Sequence, residues 1–174
     1  MMIEATMQLL LIRHAIAEDR EEFAASGRND GERPLTKHGK RQMRRVAKGL
    51  RRTVKSIDVL GASPLVRAQQ TAAIVAEAYG EIAVATVPSL APESEPEAFA
   101  DWLGRQRIAE SVAAVGHDPH LGMLVTWLLA GRMEPRVDIE KGGAVLLDVK
   151  GAPRAGCATL LWALTPAMLV RLGD

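Results

Sequence analysis

Cysteine occurs once in the 174 residues, aromatic residues make up 3%, and neither sign of charge prevails, with 22 Lys and Arg against 21 Asp and Glu. Each scarcity excludes something. A lone Cys157 cannot close an intramolecular disulfide, so a reducing compartment is the simple reading, and a small buried hydrophobe in a strand is the expectation for it. So few rings leave little for stacking on bases, and a net charge of +1 gives no global attraction to nucleic acid or to a membrane. No apolar run approaches the ~20 residues of a membrane span. Met1–Met7 lacks the basic segment of a secretory leader, and the apolar run after it stops at Arg13, so a cytoplasmic location is expected.

What is present is ordinary for a globular protein: 48% hydrophobic and 25% charged residues. The length suits a single domain over 1–174, one large enough to bury roughly 70% of its unfolded surface. Apolar stretches alternate with amphipathic ones, which predicts a three-layer α/β/α sandwich with a mostly parallel central sheet and helices on both faces.

The most telling stretch is Leu9-Leu10-Leu11-Ile12-Arg13-His14-Ala15. Its hydrophobics are continuous, as in a strand buried on both faces, and they end abruptly on an arginine and a histidine. Ligands of open α/β sheets bind just beyond the carboxyl ends of the strands, where Arg13 and His14 would sit. A polar segment, Ala17–Arg33, follows and is long enough to lie over that rim or to be mobile. Thr36 is a plausible cap for a helix to about Arg52, with Met43, Val46, Ala47, Leu50 and Val54 on its buried face. The opposite face is basic from Lys37 to Arg52. It reads either as a solvated face, which is preferred, or as a docking surface for an acidic partner.

Two further strands are expected to deliver residues to the same rim. Ile57–Ala62 leads into Ser63-Pro64, read as a cap followed by proline at the first helical position, with Arg67 one turn inside the helix. Ser111–Gly116 leads to His117, and Asp118-Pro119 repeats the cap-then-proline pattern before a helix from His120 to about Leu129. Gly142–Val149 and Ala158–Leu164 read as the last two strands. Two arginines and two histidines meeting without an acidic cluster suit an anion, because guanidinium groups bind phosphate oxygens in pairs and do not titrate away. A neutral imidazole in such a cage is a nucleophile, and His14 is the candidate. His117 and His120 also form a His-x-x-His pair, but nothing near it supplies the remaining ligands of a metal site, so no metal and no cofactor are expected.

Leu11–Ala15, the stretch from Pro34 to Gly39, Ser63–Ala72 and Val115–Pro119 together resemble the histidine phosphatase superfamily (branch 1, phosphoglycerate-mutase-like) and follow its order. The resemblance implies a catalytic tetrad of Arg13, His14, Arg67 and His117, with His14 phosphorylated in the reaction. Length, Leu90-Ala91-Pro92, Lys141-Gly142-Gly143 and the ending Leu161–Pro166 make the chain most similar to the small bacterial phosphohistidine phosphatases. The implied substrate is a phosphorylated histidine-containing phosphotransfer protein of a sensor-kinase relay, or else a small phosphorylated molecule. Arg33 and Lys141 are candidates to add charge beside the phosphate.

Two departures stand out. Ala15 replaces the glycine common after Arg-His, a change that matters only where the backbone needs positive φ. Ester-cleaving relatives place a glutamate in a Leu-x-Glu context, whereas here Leu90-Ala91-Pro92 puts Glu93 one place later. A site without a general acid favours phosphoramidates, whose leaving imidazole already carries a proton. Glu93 is either that acid, displaced, or an exposed loop residue. The oligomeric state is not legible in the sequence.

Overall fold

The structure, a computed structural model, describes residues 5–174; part of the Met1–Met7 stretch read for a leader lies outside them. Six strands form one sheet in the order β3-β2-β4-β1-β5-β6: β1 (Thr6–Arg13), β2 (Val59–Ala62), β3 (Val84–Thr86), β4 (Ser111–Gly116), β5 (Ala144–Lys150) and β6 (Ala158–Leu164). β1 to β4 pair in parallel, while β5 pairs antiparallel with both β1 and β6, so β5 alone runs against the rest.

Six helices complete the chain: α1 (Arg20–Ala25), α2 (Lys37–Thr53), α3 (Val66–Ala78), α4 (Pro96–Gly104), α5 (His120–Ala130) and α6 (Pro166–Gly173). The run Leu9–Ile12 is unbroken because both faces of β1 are covered. Leu10 and Ile12 join the core formed with Met43, Val46 and Leu50 of α2 and Val75 of α3. Leu9 and Leu11 join the opposite core with Phe99 and Leu103 of α4 and Leu121 and Leu124 of α5. This is the expected sandwich.

Thr36 caps α2 as its sequence pattern predicts, its hydroxyl accepting from the Gly39 amide at 2.9 Å. Gly39 itself is obligatory, since a Cβ there would lie 2.1 Å from the Ile16 carbonyl oxygen, so α2 rests directly on the backbone just after His14. Three local expectations change. The segment after β1 is not a plain loop: Asp19 caps α1, and Asp30–Glu32 forms a 3-10 turn. Ser63 does not cap α3, which starts at Val66 with Leu65 at its cap position. Pro119, not Asp118, occupies the cap position of α5, although the Asp118 carboxylate still accepts from the Gly122 amide at 3.2 Å. Cys157 is buried as expected, but it sits one residue before β6 rather than inside a strand. No helix among the described residues is long and apolar enough to cross a membrane.

Candidate active site

The parallel neighbours β2, β4 and β1 end side by side, and one residue beyond each end stand Ser63, His117 and His14. The ladder continues that one residue: the His14 amide donates to the Gly116 carbonyl at 2.9 Å, and the Ser63 amide to the Val115 carbonyl at 2.9 Å. On the far side of β1, the Arg13 amide donates to the Gly143 carbonyl at 3.1 Å and the Gly142 amide returns a bond to the Arg13 carbonyl at 3.1 Å. These bonds bring Lys141 alongside. Sheet topology therefore gathers residues more than a hundred positions apart into one row.

His14 is buried, and its Nδ1 donates to the Ala15 carbonyl oxygen at 2.7 Å. That bond puts the ring proton on Nδ1 and leaves a free lone pair on Nε2. Burial drives the His14 pKa down to about 4; the Ala15 bond opposes this, and Arg67, Arg13 and Lys141 add to it. The ring is therefore neutral at physiological pH. Ala15 fits without strain, because Glu81 and Glu93 are the non-glycine residues with positive φ among those described. Its amide donates to Thr71 Oγ1 at 3.0 Å, and the Thr71 hydroxyl donates to the Arg67 carbonyl at 2.7 Å, which ties the His14 turn to α3.

His117 lies against His14, with ring centroids 5.2 Å apart and tilted by 56°. Its Nε2 shares a hydrogen with Ser63 Oγ at 2.7 Å, which explains why that serine is not used as a cap. Burial, followed by His14 and Arg67, lowers the His117 pKa to about 3. His120 is also buried and lines the same space, but its Nε2 donates to the Ser94 carbonyl at 3.0 Å and so pins the loop around Glu93. No group of three or more His, Cys, Asp or Glu placed to hold a metal ion occurs among the described residues.

Both arginines of the expected tetrad are anchored. Arg13 donates from one terminal nitrogen to the Ile139 carbonyl at 2.6 Å and lies 3.9 Å from the Asp118 carboxylate. Arg67 donates to the Asp30 carbonyl oxygen at 3.0 Å and lies 3.3 Å from its carboxylate. The same carboxylate accepts from Arg33 Nε at 2.8 Å, and Arg33 also donates to the Glu18 carbonyl at 2.8 Å. Asp30 thus joins the segment over the site to Arg67. Sequence reasoning did not single it out; an acid between Asn29 and Gly31 looks like any polar turn residue.

Arg13, His14, Arg67 and His117 line one cavity of about 820 Å³, and Arg33, Lys141 and Glu93 line it too. The seven candidate site residues are therefore gathered there. Arg33 is buried and bound by protein partners, whereas Lys141 and Glu93 are exposed. Glu93 adopts φ 71°, a left-handed conformation unusual for a residue with a side chain. Arg13 Nε and Arg67 Nε are buried without a hydrogen-bond partner. A buried donor left unpaired costs about 1–3 kcal/mol, so protein partners do not fully satisfy either guanidinium. The arrangement offers one neutral nucleophilic nitrogen beside two fixed, always-charged anion binders.

Comparison with known proteins agrees with this chemistry. Residues 9–113 match the histidine phosphatase superfamily (branch 1). An uncharacterized protein of Picosynechococcus is 35% identical over 85% of this chain and 88% of its own length. The phosphohistidine phosphatase SixA of Escherichia coli is 29% identical over 94% of this chain and 96% of its own. Among solved structures, SixA complexed with tungstate superimposes with a TM-score of 0.79 at 25% identity, covering 92% of this chain and 98% of that one. The α-ribazole phosphatase of Shigella flexneri shares the fold at a TM-score of 0.72 and 20% identity, covering 92% of this chain and 97% of that one. With its strand-end histidines and guanidinium groups in the family's order, this chain belongs to branch 1 of the histidine phosphatase superfamily and is a phosphatase.

Proposed function

We propose that this protein is a cytoplasmic, metal-independent protein-phosphohistidine phosphatase whose single domain acts through a covalent phosphohistidine on His14. The observation that carries the reading is the His14 ring: Nδ1–H is held by the Ala15 carbonyl, Nε2 is unprotonated, and two anchored guanidinium groups flank it. In this reading Nε2 attacks phosphorus in line, a new N–P bond forms, and the substrate's own P–N bond breaks. The electron pair goes to the leaving imidazole, which departs neutral when its other nitrogen already carries a proton. Water then attacks phosphorus, the pair returns to Nε2, and the water proton leaves with phosphate. Arg13, Arg67 and His117 hold the equatorial oxygens, where charge accumulates in transfer. Arg33 and Lys141 add positive potential to the cavity.

The absence of a carboxylate at Ala91 and Pro92 supports a phosphoramidate over an ester, since an alkoxide leaving group gains about 10²–10⁴-fold from a positioned acid. The similarity to the phosphohistidine phosphatase SixA points the same way. Incubation with a histidine-phosphorylated phosphotransfer domain tests the proposal. Loss of phosphate with wild type and none with His14→Ala is expected; equal loss from both, or none from either, refutes it.

A second reading, a phosphomonoesterase or mutase acting on a small metabolite, has Glu93 in its favour, because that residue lines the cavity with left-handed backbone. The α-ribazole phosphatase among its fold neighbours fits it. Strong turnover of sugar phosphates or phosphoglycerate that collapses in Glu93→Gln would favour this reading.

A further inference from the structure

Charge in this chain is even in total but not in place. From Arg33 to Ile57 there are ten Lys and Arg and no Asp or Glu, so the remainder carries twelve cations against all 21 carboxylates. Most of the ten stand on α2, where Lys37, Arg41, Arg44, Lys48, Arg51 and Arg52 are exposed. Among the described residues, Arg45, paired with Asp174 at 2.9 Å, is the one cation of α2 in an ion pair. Like charges crowded on one helix repel one another, and the core does not require them, since Met43, Val46, Ala47 and Leu50 already form the buried stripe.

The strip begins at the active site. Thr36 donates its amide to the Ile16 carbonyl at 3.0 Å, two residues beyond His14, and Gly39 seats α2 on that same carbonyl. From there 17 residues, at about 1.5 Å each, carry the charge about 25 Å away from the cavity rim. We infer that the exposed face of α2 is the docking surface for the acidic face of a protein substrate, aligning it so that its phosphorylated side chain enters the cavity.

Three features favour a carboxylate-bearing protein. The stretch from Arg33 to Ile57 has no Phe, Tyr or Trp on which a base could stack. The helix lies against the sheet with α6 and α3 packed on it, so it does not protrude as a helix entering a DNA groove must. Its apolar side chains are buried in the core, which leaves none to insert into a bilayer. Arginine prevails over lysine on the strip, as suits paired recognition of carboxylates.

This inference rests on the protein-substrate reading above, and its test separates the two. The probes are a glutamate-rich peptide bearing one histidine and its glutamine-for-glutamate counterpart, each with and without phosphate on the histidine. Binding of the unphosphorylated peptides, read by fluorescence anisotropy, needs no turnover. At low salt, about 20 mM, wild type is expected to bind the acidic peptide at least tenfold more tightly than the neutral one, and the preference disappears at high salt. The triple variant Arg41→Glu/Arg44→Glu/Lys48→Glu is expected to lose the preference, with a melting temperature no lower than that of wild type and turnover of free phosphoramidate within twofold of it. The phosphorylated acidic peptide shows the same tenfold advantage in kcat/KM. Equal binding of both peptides, a preference that survives in the variant, or tighter binding of duplex DNA or phosphatidylglycerol vesicles than of the acidic peptide overturns the docking surface. Docking as expected, together with turnover of phosphoramidate but of neither phosphopeptide, leaves the surface standing and removes the phosphohistidine reading.

Discussion

Two collections of positive charge share this molecule and are built in opposite ways. In the cavity, Arg13, Arg33 and Arg67 are largely buried, and each guanidinium is held by a backbone carbonyl and an aspartate. On α2, the exposed cations are many and almost without ion-pair partners among the described residues. Burial makes a charge directional and nearly indifferent to salt, whereas exposure makes it additive, long in reach and easily screened. The first design suits stabilising one phosphoryl group in a fixed orientation, and the second suits attracting a large, loosely specified surface. Burial is what chiefly leaves His14 neutral, and the cationic cage adds to it.

The largest effect expected from breaking this contrast is at His14. His14→Ala removes the nucleophile and should lower kcat on any substrate by about 10⁴-fold or more, as measured by phosphate release. Arg67→Ala removes one buried anion binder and should cost about 10²–10³-fold in kcat/KM on phosphoramidate and phosphoprotein alike, with little dependence on salt. The α2 triple variant should cost about tenfold, on acidic protein substrates alone and at low salt alone. Asp30→Asn keeps its carbonyl but weakens the carboxylate that aligns Arg67 and Arg33. It should raise KM several-fold, about 1 kcal/mol, and leave kcat on bound substrate closer to wild type.

Protonation gives a finer test. His14 and His117 take up protons near pH 4 and 3 in the folded protein but near 6.5 when unfolded. Between these limits the unfolded chain binds more protons, so stability is full above pH 6.5 and falls as pH drops toward 4, by on the order of 3 kcal/mol for His14. His14→Ala should flatten part of that slope in chemical denaturation curves taken from pH 7 to pH 4. An unchanged slope would mean that the ring is not held neutral by its surroundings.

Much of the site was legible because its signals are local and unambiguous. An apolar run ending in Arg13-His14 marks both a buried strand and its open end, and the same logic delivers His117 after β4. Ser63 misled because two uses of one hydroxyl compete. Its Ser-Pro context fits a helix cap, but the chain turns through Pro64 and Leu65 before α3 begins, and His117 across the strand ends takes the oxygen. Asp30 and His120 were missed as site-forming residues for another reason: the partners of Asp30 include Arg67, 37 positions away, and that of His120 is a carbonyl on a loop 26 positions away. No local pattern encodes such pairings. The short helix α1 was missed because a six-residue helix has almost no periodicity to read, and only its Asp19 cap marks it.

The central claim is that His14 Nε2 takes the phosphoryl group, and trapping it is the most direct test. After rapid acid-free quenching of enzyme mixed with labelled phosphoramidate or phosphoprotein, mass spectrometry should find one acid-labile, base-stable phosphate on His14, absent in His14→Ala. Full turnover with no phosphoenzyme at any quench time, or a phosphate on another residue of the cavity, would contradict it.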